Sequence, residues 1–326
     1  MVRFGVVGTN WITQSFLEAA SLVEDFSLTA VYSRTNQRAE LFAEQYGVEH
    51  TFTDLESMAK SSLIDAVYIA SPNTLHSEQA QIFLRNKKHV LCEKPMAANS
   101  REVKQMIQAA KDNNVLLMEA MKSTFLPNFQ SVQEHLPKIG TVRKYFANYC
   151  QYSSRYDAYK EGTILNAFNP AFASGALMDI GVYCIYPMVV LFGKPSEIQA
   201  DGFLLDSGVD GEGSIICKYA EMSAVMMYSK ITETNLPSEI QGEEGVIRMD
   251  RISTQGKVAI HYRKGGIEDI SVPQKKSTMY YEVKEFIELI KSGIVESVKN
   301  SYENSLITME IMDEVRKQIG ISFPSD

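Results

Sequence analysis

The chain has 326 residues, 22% of them charged, and a formal net charge of -8. That length exceeds what one compact core usually encloses, so two domains are expected. The acidic balance argues against a nucleic-acid partner, which needs a basic face, and pairs such as Lys87-Lys88 and Lys275-Lys276 read as solvated surface.

From the N-terminus, residues 2–7 form a β-rich run and residues 11–22 carry apolar side chains at helical spacing. A strand over 28–33 and a helix over 36–46 follow, with Gly47 where a C-terminal cap is expected. The alternation then repeats: strand 64–71, helix 77–86, strand 88–93, helix 100–114 and strand-like segment 115–120. Short strands that are apolar on both faces, alternating with helices, specify a doubly wound parallel sheet of Rossmann type. After Ser123 the strands lengthen and alternate apolar with polar, as in "VRKYFANYCQYS" and "SAVMMYSKI", which predicts a mainly antiparallel open sheet in an α+β domain. One helix, residues 174–192, interrupts these strands, and two more close the chain at 279–291 and 302–319. The expected domains are therefore 1–122, which binds a dinucleotide, and 123–326, which binds substrate and dimerises, with the last helices free to dock back on the first domain.

Cys92, Cys150, Cys184 and Cys217 are spread through apolar stretches and read as buried free thiols in a reducing cytoplasm. The five histidines show no metal-ligand spacing, so no metal is expected. No charged leader precedes the first strand, and the apolar run 180–192 is too short for a bilayer and contains Pro187. These features predict a cytoplasmic protein with no membrane partner.

The dinucleotide fingerprint G-x-G-x-x-G wants glycine where the backbone turns, nears the pyrophosphate, or lets helix and strand pack closely. Here those positions read Gly8, Asn10 and Thr13. Gly8 still stands between strand and helix, so Gly8, Thr9, Asn10, Trp11 and Ile12 are assigned to the cofactor. Asn10 is expected to accept left-handed backbone angles, and whether its amide also reaches the phosphate is open. The second strand ends in "YSRTNQR", with no carboxylate before Glu40. Ser33, Arg34 and Arg38 suit a 2′-phosphate, which favours NADP, with NAD as the alternative. Two ordinary surface arginines are the other reading.

"HVLCEKPMA" ends a buried strand in Glu93 and Lys94, at the sheet edge that faces a ligand, and Pro95 confines Lys94 to extended geometry. "SPNTLH" ends the preceding strand in the same way, so Ser71, Asn73, His76, Glu93 and Lys94 are assigned to cofactor contact. His76 stays outside the catalytic set, because such a residue commonly caps a helix or bonds backbone. In "GALMDIGVY", Asp179 and Tyr183 stand four residues apart, on one helical face. A carboxylate in this apolar run needs a partner or a ligand. A backbone donor for Asp179 and a core position for Tyr183 are the structural alternatives. Phe125, Tyr156, Asn166 and Phe168 are candidates to line the second domain's cleft, ordered by no motif.

"EKP", "SPNTLH" and "SGALMDIGVYCI" together resemble the glucose-fructose oxidoreductase, inositol dehydrogenase and rhizopine-catabolism (Gfo/Idh/MocA) family over nearly the whole chain. Tyr183, where that family more often has histidine, resembles its trans-dihydrodiol dehydrogenase and NADP-dependent D-xylose dehydrogenase branch. The resemblance implies a homodimer through the open sheet face, with Lys94 near the nicotinamide and Asp179 and Tyr183 facing it. Phenols titrate near pH ~10, and an adjacent ammonium favours the ionised form, so Tyr183 is expected to take the proton of a substrate hydroxyl. Lys94 then supplies positive charge and Asp179 orients the substrate, with Phe125 and Asn166 as further substrate contacts. The expected reaction moves a hydride between NADP and a CH–OH group of a sugar, polyol or cyclic diol. The alternatives are an NADP-sensing regulatory protein that does not catalyse, or a reductase of C=N or C=C bonds.

Overall fold

Strand β1 (Val2–Val7) runs into helix α1 (Trp11–Ala20), and the same step recurs along the first 120 residues. It gives β2 (Phe26–Tyr32), α2 (Asn36–Tyr46), β3 (His50–Phe52), α3 (Leu55–Lys60), β4 (Ala66–Ile69), α4 (Asn73–Arg85), β5 (His89–Glu93), α5 (Ser100–Asn113) and β6 (Leu117–Ala120). The six strands form one parallel sheet in the order β3-β2-β1-β4-β5-β6. Every residue of β4 and β6 is buried, the pattern of strands covered on both faces. The order reverses between β1 and β4, where Val7 pairs with Ile69, and ligands of such sheets bind at this switch point.

The computed structural model describes residues 1–326 and divides into two units: Met1–Lys122 with Lys275–Ser305, and Ser123–Gln274 with Leu306–Asp326. In the second unit come α6 (Pro127–His135), β7 (Val142–Cys150), α7 (Tyr156–Lys160), a π-helical turn at Leu177–Gly181, and α8 (Val182–Phe192). Seven strands follow: β8 (Glu197–Leu204), β9 (Asp210–Lys218), β10 (Ser223–Ser229), β11 (Ser238–Gly242), β12 (Gly245–Met249), β13 (Val258–Tyr262) and β14 (Ile267–Asp269). Helices α9 (Tyr280–Lys291) and α10 (Tyr302–Ile319) end the chain. The eight-stranded sheet is antiparallel except for the β7/β10 pair.

The two cores follow from this patterning. In the first unit Phe16 of α1 stacks on Tyr68 of β4 at 3.7 Å, and α9 returns to lay Phe286 against Phe4 at 5.8 Å. In the second, α8 covers one sheet face, where the hydroxyl of Tyr145 donates to the carbonyl of Cys184 at 2.9 Å. On the other face Val225 is flanked by Ile216 and Phe146, and Ile216 is exposed. The apolar stretch Pro170–Phe192 is long enough to cross a membrane by composition, but most of it lies inside this core.

Three details differ from the sequence reading. Helix α4 begins at Asn73 rather than residue 77, because Pro72, at φ -58°, delivers the chain straight into a first turn. The single helix expected over 174–192 is a π-turn followed by α8, and such turns carry an extra residue that reorients side chains, here around Asp179. Cys150 is half-buried, while the other three cysteines are buried.

Candidate functional site

The glycine turn fits a dinucleotide by its backbone. Gly8 adopts φ +104°, and a Cβ there would stand 2.8 Å from the carbonyl oxygen of Ala70, so only glycine lets the ends of β1 and β4 approach. Asn10 does not take the expected left-handed angles: at φ -103° and ψ 178° it is extended and caps α1. Its Oδ1 accepts from the amides of Ile12 at 3.0 Å and Thr13 at 3.3 Å, and its Nδ2 donates to Ala70 O at 2.9 Å. The Ile12 amide is thus spent on the cap, whereas those of Thr9, Asn10 and Trp11 take no part in it. At the third glycine position Thr13 is buried and donates its hydroxyl to Gly8 O at 3.0 Å, closing the turn from within. Trp11, the sole tryptophan, is 64% exposed as the first residue of α1.

Past β2, Ser33 is buried while Arg34 and Arg38 are exposed. The first turn of α2 holds no acidic residue, and the carboxylate of Glu40 accepts from the Asn36 amide at 2.7 Å. Positive charge therefore dominates this strand end, as a 2′-phosphate requires.

The "EKP" segment is a buried loop whose polar groups are met by side chains. Glu119 accepts from Met96 N at 2.9 Å and Glu102 from Ala98 N at 3.1 Å. His76 is buried between the two loop backbones, with Nδ1 3.0 Å from Pro95 O and Nε2 2.8 Å from Ser71 O, and a neutral ring donates its one N–H to one of these carbonyls. Burial lowers its pKa, opposed by those two carbonyls. The hydroxyl of Ser71 is paired with Gln79 at 2.7 Å, and Asn73 opens α4.

Beside Lys94, Glu93 is buried and accepts from the Tyr68 hydroxyl at 2.5 Å. Burial raises its carboxyl pKa, while the charge of Lys94 and the bond from Tyr68 act against that rise. Burial pushes Glu282 of α9 far up as well, Glu93 adding to it, and it raises Glu119 to about 7. The charge of Lys94 thus acts on two buried carboxyls, Glu93 of the motif and Glu119, the second of which no sequence motif indicated.

In the second unit the π-turn presents Asp179, its side chain 46% exposed. Asp210, fully buried at the start of β9, accepts from Leu177 N at 2.6 Å and fixes the turn's first amide. Burial raises Asp210 to about 6, against the pull of that backbone bond and of Lys230. Lys230, just after β10, forms an ion pair with Asp179, a partner that the sequence reading missed. The Lys230 ammonium lies 5.6 Å from the ring centre of buried Phe168, on the turn that exposed Asn166 opens. Tyr183, in the first turn of α8, meets Tyr149 edge-on at 5.6 Å. Tyr156 and Tyr159 pack on Phe168 at 5.7 and 5.4 Å, and Phe125 is buried in a short 3-10 turn.

Residues 2–121 match the model described as "Oxidoreductase family, NAD-binding Rossmann fold", and residues 135–248 match the corresponding C-terminal domain. The chain is 57% identical over its full length, and 99% of the relative's, to the scyllo-inositol 2-dehydrogenase (NADP(+)) IolU of Bacillus subtilis. It is 30% identical to trans-1,2-dihydrobenzene-1,2-diol dehydrogenase of Danio rerio, covering 100% of this chain and 99% of the relative. Among solved structures, the 3-ketoreductase KijD10 of Actinomadura kijaniata with NADP and TDP-benzene superimposes with a TM-score of 0.86 at 26% identity, over 98% of each chain. With both its domains matched and a full-length relative well above 30% identity, the chain belongs to the Gfo/Idh/MocA family of oxidoreductases.

Proposed function

We propose that this oxidoreductase uses NADP to oxidise a secondary hydroxyl of a neutral cyclic polyol or diol, and reduces the matching ketone in reverse. One observation carries the substrate class. A half-exposed carboxylate, Asp179, is paired with a cation and lies one turn before a tyrosine, an arrangement that accepts from hydroxyl donors. The NADP-linked name of a relative 57% identical supports the reading, as do Arg34 and Arg38 beside a first helical turn that holds no acidic residue.

Gly8 and the amides of Thr9, Asn10 and Trp11 would receive the pyrophosphate, and Ser33, Arg34 and Arg38 the 2′-phosphate. The bound dinucleotide supplies the acceptor for hydride. As the C–H bond breaks, Tyr183 takes the hydroxyl proton, the Lys94 ammonium stabilises the negative charge that develops on oxygen, and Asp179 holds a neighbouring hydroxyl. A cytoplasmic homodimer is part of the same reading, paired through the outer sheet face that carries Ile216, Val225 and Phe146.

To test it, NADPH formation is followed with scyllo-inositol as substrate. Lys94→Ala and Tyr183→Phe are each expected to lower kcat by ~10²–10⁴-fold, with NADPH still quenching Trp11 fluorescence as in the parent. Undiminished turnover in Lys94→Ala contradicts the assignment.

A further inference from the structure

Lys230 belongs to no motif, yet the second unit fixes it closely. Its N–H donates to Gly211 O and its carbonyl accepts from Ser153 N, both at 2.8 Å, so the backbone is held on either side. The side chain is only 6% exposed, and its ammonium meets Oδ2 of Asp179. Phe168 closes over it, and buried Asp210 feels its charge while gripping Leu177 N two residues before Asp179.

Burying an ammonium is costly, and an apolar side chain of similar volume often stabilises a fold as well or better. Stability alone therefore does not account for this lysine. The pair is also asymmetric: the cation is inside, and its carboxylate partner is half open. Asp179 is thereby tied at two points, through its turn by Asp210 and through its carboxylate by Lys230.

We propose that Lys230 is a positioning residue. It holds the Asp179 carboxylate in the orientation that receives a substrate hydroxyl, without touching substrate itself. The proposal rests on the reading of Asp179 as the group that orients a polyol. Substrates that offer no hydroxyl to Asp179 would gain nothing from the lysine.

The test uses the full chain with NADP, and scyllo-inositol as the probe. Asp179→Asn, Lys230→Met, Lys230→Gln, Lys230→Arg and the Asp179→Asn/Lys230→Met double variant are compared, with quenching of Trp11 by NADPH reporting the cofactor side. Lys230→Met is expected to raise KM about tenfold or more with a smaller change in kcat, the range of a charge-assisted hydrogen bond. The double variant should bind no worse than Asp179→Asn alone, Lys230→Arg should recover part of the loss, and cofactor binding should not move. Should Lys230→Met fail to fold, Lys230→Gln gives the same reading. If Asp179→Asn raises KM while the neutral Lys230 variants stay within twofold of the parent, or if the two effects multiply in the double variant, the positioning role is overturned. If Asp179→Asn itself leaves KM unchanged, the reading of Asp179 fails, and the proposal with it.

Discussion

The two units hold their chemical groups by opposite means. In the first, what is fixed is the main chain of the glycine turn and the "EKP" loop, by Gly8 against Ala70 and by the side chains of Asn10, His76, Glu102 and Glu119 on backbone groups. In the second, Asp179 is held by side-chain charge from distant segments, Lys230 being 51 residues away in sequence. A backbone cradle suits a ligand with an invariant phosphate skeleton, whereas side chains on a sheet can be exchanged singly. The contrast explains how one family keeps its dinucleotide and varies its substrate.

The sharpest way to break this contrast is at Gly8. Gly8→Ala places a Cβ 2.8 Å from a carbonyl oxygen at φ +104°, where strain costs about 1–3 kcal/mol. NADPH titrations read by Trp11 fluorescence should show affinity reduced at least about tenfold, and a parental affinity would mean that the backbone does not form the cradle.

Arg34→Ala should act more selectively. We expect the ratio of kcat/KM for NADP over NAD to fall by about 10–100-fold, mostly through the NADP value, as loss of one charge-assisted contact to phosphate implies. An unchanged ratio would return Arg34 to the ordinary surface.

The smallest effect concerns pH. Glu119, raised to about 7 by burial, holds a proton in the folded chain between about pH 4.5 and 7 that the unfolded chain has released. Its contribution to stability is therefore present at low pH and lost as pH rises through 7. In urea unfolding, Glu119→Gln should flatten that decline while still accepting from Met96 N. Parallel pH profiles for the two proteins would show that Glu119 is not neutral in the fold.

How much of this was legible follows the same division. Gly8, "YSRTNQR" and "EKP" are local signals, since strand, turn and helix succeed one another within a dozen residues, and the β-α alternation predicts the parallel sheet that carries them. Asn10 shows the limit. Its chemistry suits both a left-handed turn and a helix cap, and only the nearby Ala70 carbonyl decides for the cap. Asp179 and Tyr183 stood out as polar residues in an apolar run, but their supports did not. Lys230 directly follows a strand of ordinary alternation, Asp210 begins one, and only the assembled sheet brings them to the π-turn. Glu282 was invisible for the same reason, because α9 reaches the first unit's core across more than 150 residues of intervening chain.

Label transfer tests the central claim most directly. With scyllo-inositol deuterated at its carbons and NADP, the account predicts that one deuterium appears in each NADPH formed, with a primary isotope effect on the single-turnover rate. Quenching of Trp11 by NADPH without label transfer from any neutral polyol or diol would contradict it, and would make the protein a dinucleotide sensor rather than a polyol dehydrogenase.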